Sequence, residues 1–239
     1  MKHTIALILA AGKGTRMKSA LPKVLHRVGG LPMVEQVRRT VKAVGTLRQL
    51  VVVGFGGEKV EEYLGDTAET VVQKEQLGTG HAVLQAEELL KGEEGTLLVT
   101  CGDTPLVTED TFASLIKAHE TKNAAATILT AHMPDPTGYG RIIRDAQGNV
   151  VKIVEQKDGT PEELAVDEVN AGIYCFSMPL IWDMLHNVTN DNAQGEYYLT
   201  DIIGMLVRDG KTVSAFAAPD YQETLGVNSR QQLCEAEEV

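Results

Sequence analysis

The chain has 239 residues, of which 43% are hydrophobic, enough to fill the core of one large α/β domain. Its formal net charge of −11 excludes a broad basic surface for nucleic acid, so an anionic ligand would have to be met by local positive groups. Cys101, Cys175 and Cys234 lack metal-ligand spacing, and the amino terminus has no signal-peptide or membrane-spanning run. We therefore expect a soluble protein of the reducing cytoplasm, without disulfides or zinc.

Strand-like and helical patterns alternate through the first half of the chain. Residues 5–9 form an unbroken apolar run, typical of a strand covered on both faces. Apolar residues in segment 32–44 recur with helical spacing, and Gly45 is a suitable end for that helix. The other predicted elements are strands at 50–53, 70–72 and 96–100 and helices at 58–64 and 83–90. This alternation predicts a Rossmann-like, doubly wound α/β fold with a mostly parallel sheet, whose ligands lie at the carboxyl ends of the strands.

The second half of the chain is predicted to widen this sheet. Thr108 is a suitable N-cap for a helix that runs to His119, and residues 147–149 form a hairpin-turn signal. The other predicted elements are strands at 124–131, 141–143, 150–154, 169–176 and 212–217, and helices at 179–185, 197–207 and from 231 onward. No repeat or low-complexity linker interrupts the pattern, so we expect a single compact domain.

A glycine-rich loop follows the first predicted strand. Gly12 and Gly14 allow a tight turn, and Arg16 and Lys23 add positive charge, a combination that predicts a phosphate cradle. The loop is not a dinucleotide fingerprint, because Met17 stands where the third glycine is required. It also lacks the first glycine and the Ser or Thr of a P-loop. On these residues alone, a glycine-rich turn with two solvated basic residues remains the alternative.

Polar residues follow two other predicted strands. Gln73 opens the run QKEQLGTGHA, in which Gly78 and Thr79 precede a helix. A carboxamide and exposed backbone groups can bind the edge of a base, while phosphate binding at the helix start and an ordinary turn are the alternatives. Asp103 follows the fourth predicted strand and is either a magnesium ligand beside phosphates or a turn former. We expect His81 to be a helix-start residue rather than a catalytic base.

Further polar residues lie near the strand ends of the widened sheet. Gly140, Glu155 and Asn170 would offer backbone amides, a carboxylate and a carboxamide to an uncharged sugar. Taken singly, each of these residues is more typical of a structural role.

Together these motifs resemble those of the sugar-phosphate nucleotidyltransferases. The matching runs, in the family's order, are G-x-G-T-R-M with P-K, Q-x-E-Q-L-G-T-G-H-A, G-D-x-P-L, G-Y-G-R-I, V-E-x-K-D, N-x-G and NAQGEYYLTD. Met17 makes the glycine loop similar to the bacterial N-acetylglucosamine-1-phosphate uridylyltransferase branch. The resemblance implies the nucleotide-diphospho-sugar transferase fold, with a sugar-binding β extension. It also implies Mg²⁺-dependent transfer of the uridylyl group of UTP to N-acetylglucosamine 1-phosphate, a step towards peptidoglycan precursors.

The resemblance also implies roles for particular residues. Arg16 and Lys23 would be catalytic, and Asp103 and Asn228 would bind Mg²⁺, although Asn228 on local grounds is a turn or cap residue. The implied nucleotide contacts are Leu9, Ala10, Ala11, Gly12, Gly14, Thr15, Gln73, Gly78 and Thr79. The implied sugar contacts are Gly140, Glu155 and Asn170. Ala171 departs from the family's usual Thr, which leaves acyl-group selectivity open.

Two other functions remain open at this point. One is a pyrophosphorylase for another sugar phosphate or nucleotide, and the other is a nucleotide-sugar-binding module without turnover. We expect a nucleotidyltransferase domain at 1–228 and the start of a linker helix at 229–239. Bifunctional family members continue into an acetyltransferase β-helix that forms their trimer, and this sequence has no hexapeptide repeat. We therefore expect a monomer, either a shortened bifunctional enzyme or a natural single-function one.

Overall fold

The computed structural model describes residues 3–238. The strands are β1 (Thr4–Ala10), β2 (Arg27–Val28), β3 (Leu31–Pro32), β4 (Arg48–Val53), β5 (Glu69–Val72), β6 (Gly95–Cys101), β7 (Ala126–His132), β8 (Arg141–Arg144), β9 (Val150–Val154), β10 (Glu168–Met178) and β11 (Val213–Ala217). The helices are α1 (Met33–Ala43), α2 (Gly57–Leu64), α3 (Thr79–Leu84), α4 (Glu87–Leu90), α5 (Glu109–Lys122), α6 (Pro161–Leu164), α7 (Leu180–Leu185), α8 (Asp201–Arg208) and α9 (Arg230–Glu237). In this part of the chain, no helix has the length and apolarity needed to cross a membrane.

One large twisted sheet organises the molecule. Its strand order is β11-β7-β10-β6-β1-β4-β5, with the β8–β9 hairpin attached to β10. β1 pairs in parallel with β4 and β6, and β4–β5 and β7–β11 are also parallel. β10 is antiparallel to both β6 and β7. The predicted α/β fold with a mostly parallel main sheet is therefore confirmed, and β8 to β10 form the predicted widening.

The central strand β1 is buried on both faces of the sheet. Ile5 and Leu7 pack into the core cluster beneath α3, α7 and α8, while Ala6 and Ile8 pack into the cluster beneath α1, α2 and α5. Successive side chains of a strand point to opposite faces, so a strand between two helical layers must be apolar at every position. This accounts for the unbroken apolar run in the sequence.

Helix α1 buries the face that the sequence predicts, together with an ion pair that it does not. Val34, Val37 and Val41 are fully buried, as expected. Arg38 Nε donates to Glu35 Oε2 at 2.7 Å, and the Arg38 guanidinium also donates to Glu35 Oε1 at 2.9 Å. These hydrogen bonds hold the pKa of Glu35 below its usual value.

Two helix predictions are wrong in their bounds, because contacts between the two segments satisfy backbone N–H groups near the observed helix starts. The helix predicted at 83–90 begins earlier, as α3, and breaks before α4. Gly80 N–H donates to the Tyr197 carbonyl at 2.8 Å, which fixes the start of α3. The helix predicted from residue 197 begins at Asp201 instead. Leu199 N–H donates to Thr79 Oγ1 at 3.1 Å, which ties the turn before α8 to the start of α3.

The functional edge of the sheet is where parallel strands end and β10 begins. The carboxyl ends of β6, β1, β4 and β5 lie side by side, since these strands are parallel neighbours. β10 runs the other way, so its first residues lie at the same edge. A register shift between Asn170 and Tyr174, with Gly172 at a φ of 74°, bends β10 there. Asn170 is thereby brought towards the loops that follow β1 and β6.

Candidate active site

The glycine loop after β1 contains one anchored glycine and one open glycine. Gly14 has a φ of 59°, and a Cβ added there would lie 2.6 Å from Cβ of Lys23, so only glycine permits this close approach. The Gly14 carbonyl accepts from Met17 N–H at 2.9 Å, and the Met17 side chain is buried. A Cβ added to Gly12 would meet nothing within 4 Å. The backbone at Gly12 therefore faces open space in which an anion could lie.

Two neighbouring cavities open at this edge of the sheet. The first, of about 260 Å³, is bordered by Leu9, Ala11, Gly12, Lys23, Gln73, Gly78, Thr79 and Asp103 among the predicted site residues. The second, of about 360 Å³, is bordered by Arg16, Asp103, Gly140, Glu155, Asn170 and Asn228. Ala10, Gly14 and Thr15 border neither cavity. Asp103 borders both, and so does Cys101, so the two cavities meet at the end of β6.

A cation already lies where the two cavities meet. The Lys23 ammonium donates to Asp103 Oδ2 and, at 2.9 Å, to Asn228 Oδ1. Two oxygens from distant parts of the chain thus converge on one positive charge. A hard metal ion such as Mg²⁺ takes one or two protein oxygens and keeps several waters, so this oxygen pair fits it. Across residues 3–238, no cluster of three His, Cys, Asp or Glu side chains offers another metal site.

Asn228 reaches this point because its segment is tied to the loop after β6. Val227 N–H donates to the Asp103 carbonyl at 2.8 Å, and Asn228 N–H donates to Gln232 Oε1 at 2.8 Å. Arg230 Nε in turn donates to the Met17 carbonyl at 3.3 Å. The start of α9 therefore holds the glycine loop and the Asp103 loop together.

The first cavity ends in a buried carboxamide. Gln73 is only 3% exposed, and its backbone N–H donates to the Val53 carbonyl at 2.8 Å, which extends the β4–β5 pairing. Its side-chain nitrogen donates to the Gly78 carbonyl at 3.2 Å. Gly78 itself has a φ of 112°, and a Cβ there would lie 2.6 Å from the Tyr197 carbonyl oxygen. The Gly78 backbone is thus pressed between Gln73 and the segment before α8.

The second cavity contains a half-buried carboxylate. Glu155 accepts from Thr200 Oγ1 at 2.9 Å, and burial raises the pKa of this carboxyl. A Cβ added to Gly140 would lie 3.4 Å from Glu155 Oε1, so the glycine leaves the carboxylate accessible from the cavity. A partly desolvated carboxylate of this kind is a strong acceptor for a hydroxyl or amide N–H.

Asn170 is oriented by its neighbours in the β10 bulge. Its side-chain nitrogen donates to the Tyr174 hydroxyl at 2.6 Å, and its side-chain oxygen accepts from Gly172 N–H at 3.0 Å. Its backbone N–H donates to the Gly140 carbonyl at 2.9 Å, which links β10 to the turn before β8. The carboxamide is therefore held at one orientation on the cavity wall.

Sequence reasoning missed some residues that border these cavities. Cys101 is the last residue of β6, and burial raises the pKa of its thiol to about 12, which favours the protonated form. Cys101 comes directly before Gly102 and Asp103, and this position in the sequence could have identified it as a residue at the site. Glu196 borders the first cavity and Gln232 the second. Glu196 lies in the run NAQGEYYLTD, which carries part of the family resemblance, whereas nothing in the local sequence of Gln232 suggests a site.

The fold and site together define a class of nucleotide-binding α/β proteins, with a glycine loop, a carboxamide pocket and a cation-binding oxygen pair at the strand ends. A family model described as nucleotidyl transferase matches residues 5–226, and the chain belongs to that family. This confirms the family to which the motifs point.

Relatives with a common name are similar over the whole chain. The bifunctional protein GlmU of Latilactobacillus sakei is 55% identical over 239 residues, which are 100% of this chain and 52% of the relative. The proteins of the same name from Oceanobacillus iheyensis and Enterococcus faecalis are each 52% identical over 239 residues, again 100% of this chain and 52% of the relative. The chain thus spans about half the length of the curated relatives that it matches.

Proposed function

We propose that this chain transfers the uridylyl group of UTP to N-acetylglucosamine 1-phosphate and releases pyrophosphate. The observation that carries the proposal is the convergence of Lys23, Asp103 and Asn228 where two cavities meet. A reaction between a nucleotide and a sugar phosphate needs two adjoining sites that share a point of positive charge. The choice of these two substrates rests on the motif resemblance and on the 52–55% identity to the GlmU proteins.

We assign the first cavity to UTP. Gln73 and the backbone of Gly78 would bind the uracil edge, since they offer acceptor and donor groups deep in the cavity. Gly12 leaves room for a phosphate against the loop backbone, and Arg16, which borders the second cavity, would contact the departing pyrophosphate from the point where the two cavities meet. The chain is strongly acidic overall, so these local positive groups supply the attraction for the nucleotide.

We assign the oxygens of Asp103 and Asn228 to Mg²⁺ bound together with the nucleotide. When bound, the ion would neutralise charge on the reacting phosphates. Lys23 is then left as an ammonium at the same point, and its four-carbon stem allows it to contact phosphate oxygens instead of the two side-chain oxygens.

We assign the second cavity to the sugar phosphate. Glu155 would accept from a hydroxyl or from the acetamido N–H, and Asn170 is held where its carboxamide can bind a sugar oxygen. Gly140 leaves the Glu155 carboxylate open to the ring. This cavity contains both charged and neutral polar groups, as an uncharged ring carrying a charged phosphate requires.

The chemistry consists of positioning and charge neutralisation. A phosphate oxygen of the sugar phosphate bonds to the α-phosphorus of UTP, and the bond from that phosphorus to the bridging oxygen of the β-phosphate breaks. The attacking oxygen is already anionic, so no side chain has to remove a proton. Lys23, Arg16 and the loop amides stabilise the charge that moves towards the leaving pyrophosphate.

Pyrophosphate release tests this proposal directly. The chain would be mixed with Mg²⁺, one nucleoside triphosphate and one sugar 1-phosphate, in a panel of UTP, CTP and dTTP against N-acetylglucosamine 1-phosphate and glucose 1-phosphate. We expect the fastest release with UTP and N-acetylglucosamine 1-phosphate, and none with a chelator present. Binding of both substrates without release would show a binding module, and a faster pair would show a different pyrophosphorylase.

A further inference from the structure

A contact between the buried Gln73 and the half-buried His81 has no part in the chemistry above. The Gln73 side-chain nitrogen lies 3.0 Å from His81 Nδ1, in addition to its bond to the Gly78 carbonyl. His81 is the third residue of α3, and its ring is half-buried behind the base end of the first cavity. The contact thus joins the carboxamide that would bind the base to the helix behind it.

These partners settle which way the Gln73 carboxamide points. A backbone carbonyl can only accept, so the group that faces the Gly78 oxygen is the NH₂ of Gln73. The same NH₂ faces His81 Nδ1, which must therefore accept and carry no proton. The oxygen of Gln73 accepts no hydrogen bond from any described residue, and Gln73 borders the cavity. That oxygen is the polar atom that the side chain leaves to a ligand.

Gln85, one turn further along, contacts the other ring nitrogen. Its side-chain nitrogen lies 3.2 Å from His81 Nε2 and donates to the His81 carbonyl at 2.9 Å. A neutral imidazole accepts at one nitrogen only, so only one of the two carboxamide NH₂ groups donates to the ring. Gln73 is nearly fully buried and its side-chain nitrogen lies 3.0 Å from the ring, whereas Gln85 is half-buried and its nitrogen lies 3.2 Å away. The ring therefore accepts from Gln73.

We propose that His81 is a positioning residue that holds the oxygen of Gln73 towards the base, and that it thereby makes the pocket select uracil over cytosine. Uracil has an N–H at ring position 3, whereas the same nitrogen of cytosine is an acceptor. An acceptor fixed in the pocket therefore accepts a hydrogen bond from this N–H of uracil and repels the corresponding nitrogen of cytosine. The proposal rests on the proposed function, since the base is taken to be that of the nucleotide substrate.

Two variants of His81 separate the effect of its acceptor nitrogen on Gln73 from the effect of the space that the ring fills. His81→Leu fills the space without an acceptor, whereas His81→Asn places an amide oxygen close to where Nδ1 stands. We expect the ratio of kcat/KM for UTP to kcat/KM for CTP to fall about tenfold or more in His81→Leu, because a site with a misoriented polar group loses discrimination. His81→Asn should restore most of the ratio. An unchanged ratio in a folded His81→Leu protein would overturn the proposal.

Gln85→Leu is the matched control, because Gln85 contacts the same ring but does not orient Gln73. It should leave the UTP to CTP ratio within about twofold of the original. A fall as large as that of His81→Leu would overturn the proposal, since the effect would then belong to the helix as a whole.

Two further measurements do not depend on turnover. Calorimetric titration with UMP and CMP should show the same loss of preference in His81→Leu. Nitrogen NMR of the full chain, with the His81 signals identified by their loss in His81→Asn, should show Nδ1 unprotonated and Nε2 protonated. A proton on Nδ1 would overturn the proposal even if UTP is the substrate. The original chain could instead show the expected tautomer and the preference for UMP and yet release no pyrophosphate. That result would overturn only the proposed function.

Discussion

Lys23, Asp103 and Asn228 show how single residues make the site. Lys23 and Asp103 are candidates on local grounds and Asn228 is not, yet each of the three contacts a partner far along the chain. Their mutual contacts put one ammonium and two oxygens at the junction of two cavities. The same holds for Glu155, whose partner Thr200 comes from the segment before α8.

Asp103→Ala removes the carboxylate at the junction of the cavities. We expect turnover to fall by about a hundredfold or more, because a preorganised electrostatic contact is lost. The free energy of unfolding should fall by about 2 kcal/mol, since the Lys23 and Asp103 side chains are only 13% and 16% exposed and Lys23 keeps Asn228 as its acceptor. Pyrophosphate release and a urea melt measure the two effects, with exposed Asp191→Ala as control. Turnover close to that of the control would remove Asp103 from the site.

Glu155→Gln should lower activity and raise stability, and the gain in stability should depend on pH. Burial raises the pKa of Glu155 in the folded state above the usual value of 4.5. Ionisation of this carboxyl therefore opposes folding as the pH rises through the raised pKa, and it does not affect stability at pH values below 4.5. Glu155→Gln should thus be more stable than the original chain at pH 7 and gain little at pH 4. Its kcat/KM for the sugar phosphate should fall roughly tenfold or more. Urea melts at both pH values check the sign, and an equal gain at both would contradict it.

At the scale of elements, the loops are shaped by the segments packed behind them. The glycine loop is pressed against Lys23, and the loop before α3 is pressed against Tyr197. Hydrogen bonds between the α3 loop and the segment before α8 also shift both helix starts. These contacts explain why helix bounds here depart from the periodic pattern of the sequence.

Gly14→Ala and Gly12→Ala should separate the two tasks of the glycine loop. Gly14→Ala adds a methyl group at positive φ and against Lys23, and it should lower the free energy of unfolding by about 2 kcal/mol. Gly12→Ala has open space around the added methyl, so stability should change by less than about 0.5 kcal/mol. That methyl stands where a phosphate would lie, so UTP affinity should fall. Urea melts and calorimetric titration with UTP measure both, and equal stability of the two variants would contradict the anchoring role of Gly14.

At the scale of the whole molecule, two apolar layers enclose the sheet and a buried ion pair lies in one of them. Arg38 and Glu35 are each less than a tenth exposed, in the helical layer over β1 and β4. Two hydrogen bonds join the pair and Glu35 also accepts from Arg39, so its stabilisation depends on Glu35 remaining charged.

Acid should destabilise the fold partly through Glu35. Arg38 lowers the pKa of Glu35 in the folded state, so the stabilising effect is complete above the usual pKa of 4.5 and is lost as the pH falls through the lowered value. Glu35→Gln should cost about 2 kcal/mol at pH 7, as expected for loss of hydrogen bonds to a charged group, and less in strong acid. Thermal melts from pH 7 to pH 3 provide the comparison. A constant difference over that range would show that the charge of Glu35 is unimportant.

The division at residue 228 and the monomeric state stay predictions. Gln232 of α9 borders the second cavity, and Val227 packs with Ala236 in a small apolar cluster. Light scattering of the chain in solution measures its mass and checks the expected monomer.

The sequence by itself determined the alternation of strands and helices, the burial of β1 and the family. Apolar periodicity and turn residues act locally, so the residues at 5–9, the Val34 to Val41 face and the turn at Gly148 could be predicted. Tertiary structure alone decided the contacts between Asn228 and Lys23, between Glu155 and Thr200 and between Gln73 and His81. The Asn228–Lys23 contact depends on the docking of α9, the Glu155–Thr200 contact on the packing of α8 against β9, and the Gln73–His81 contact on the turn that leads from β5 into α3. Such contacts follow from how elements pack in three dimensions, and apolar periodicity along one stretch of chain carries no information about that packing.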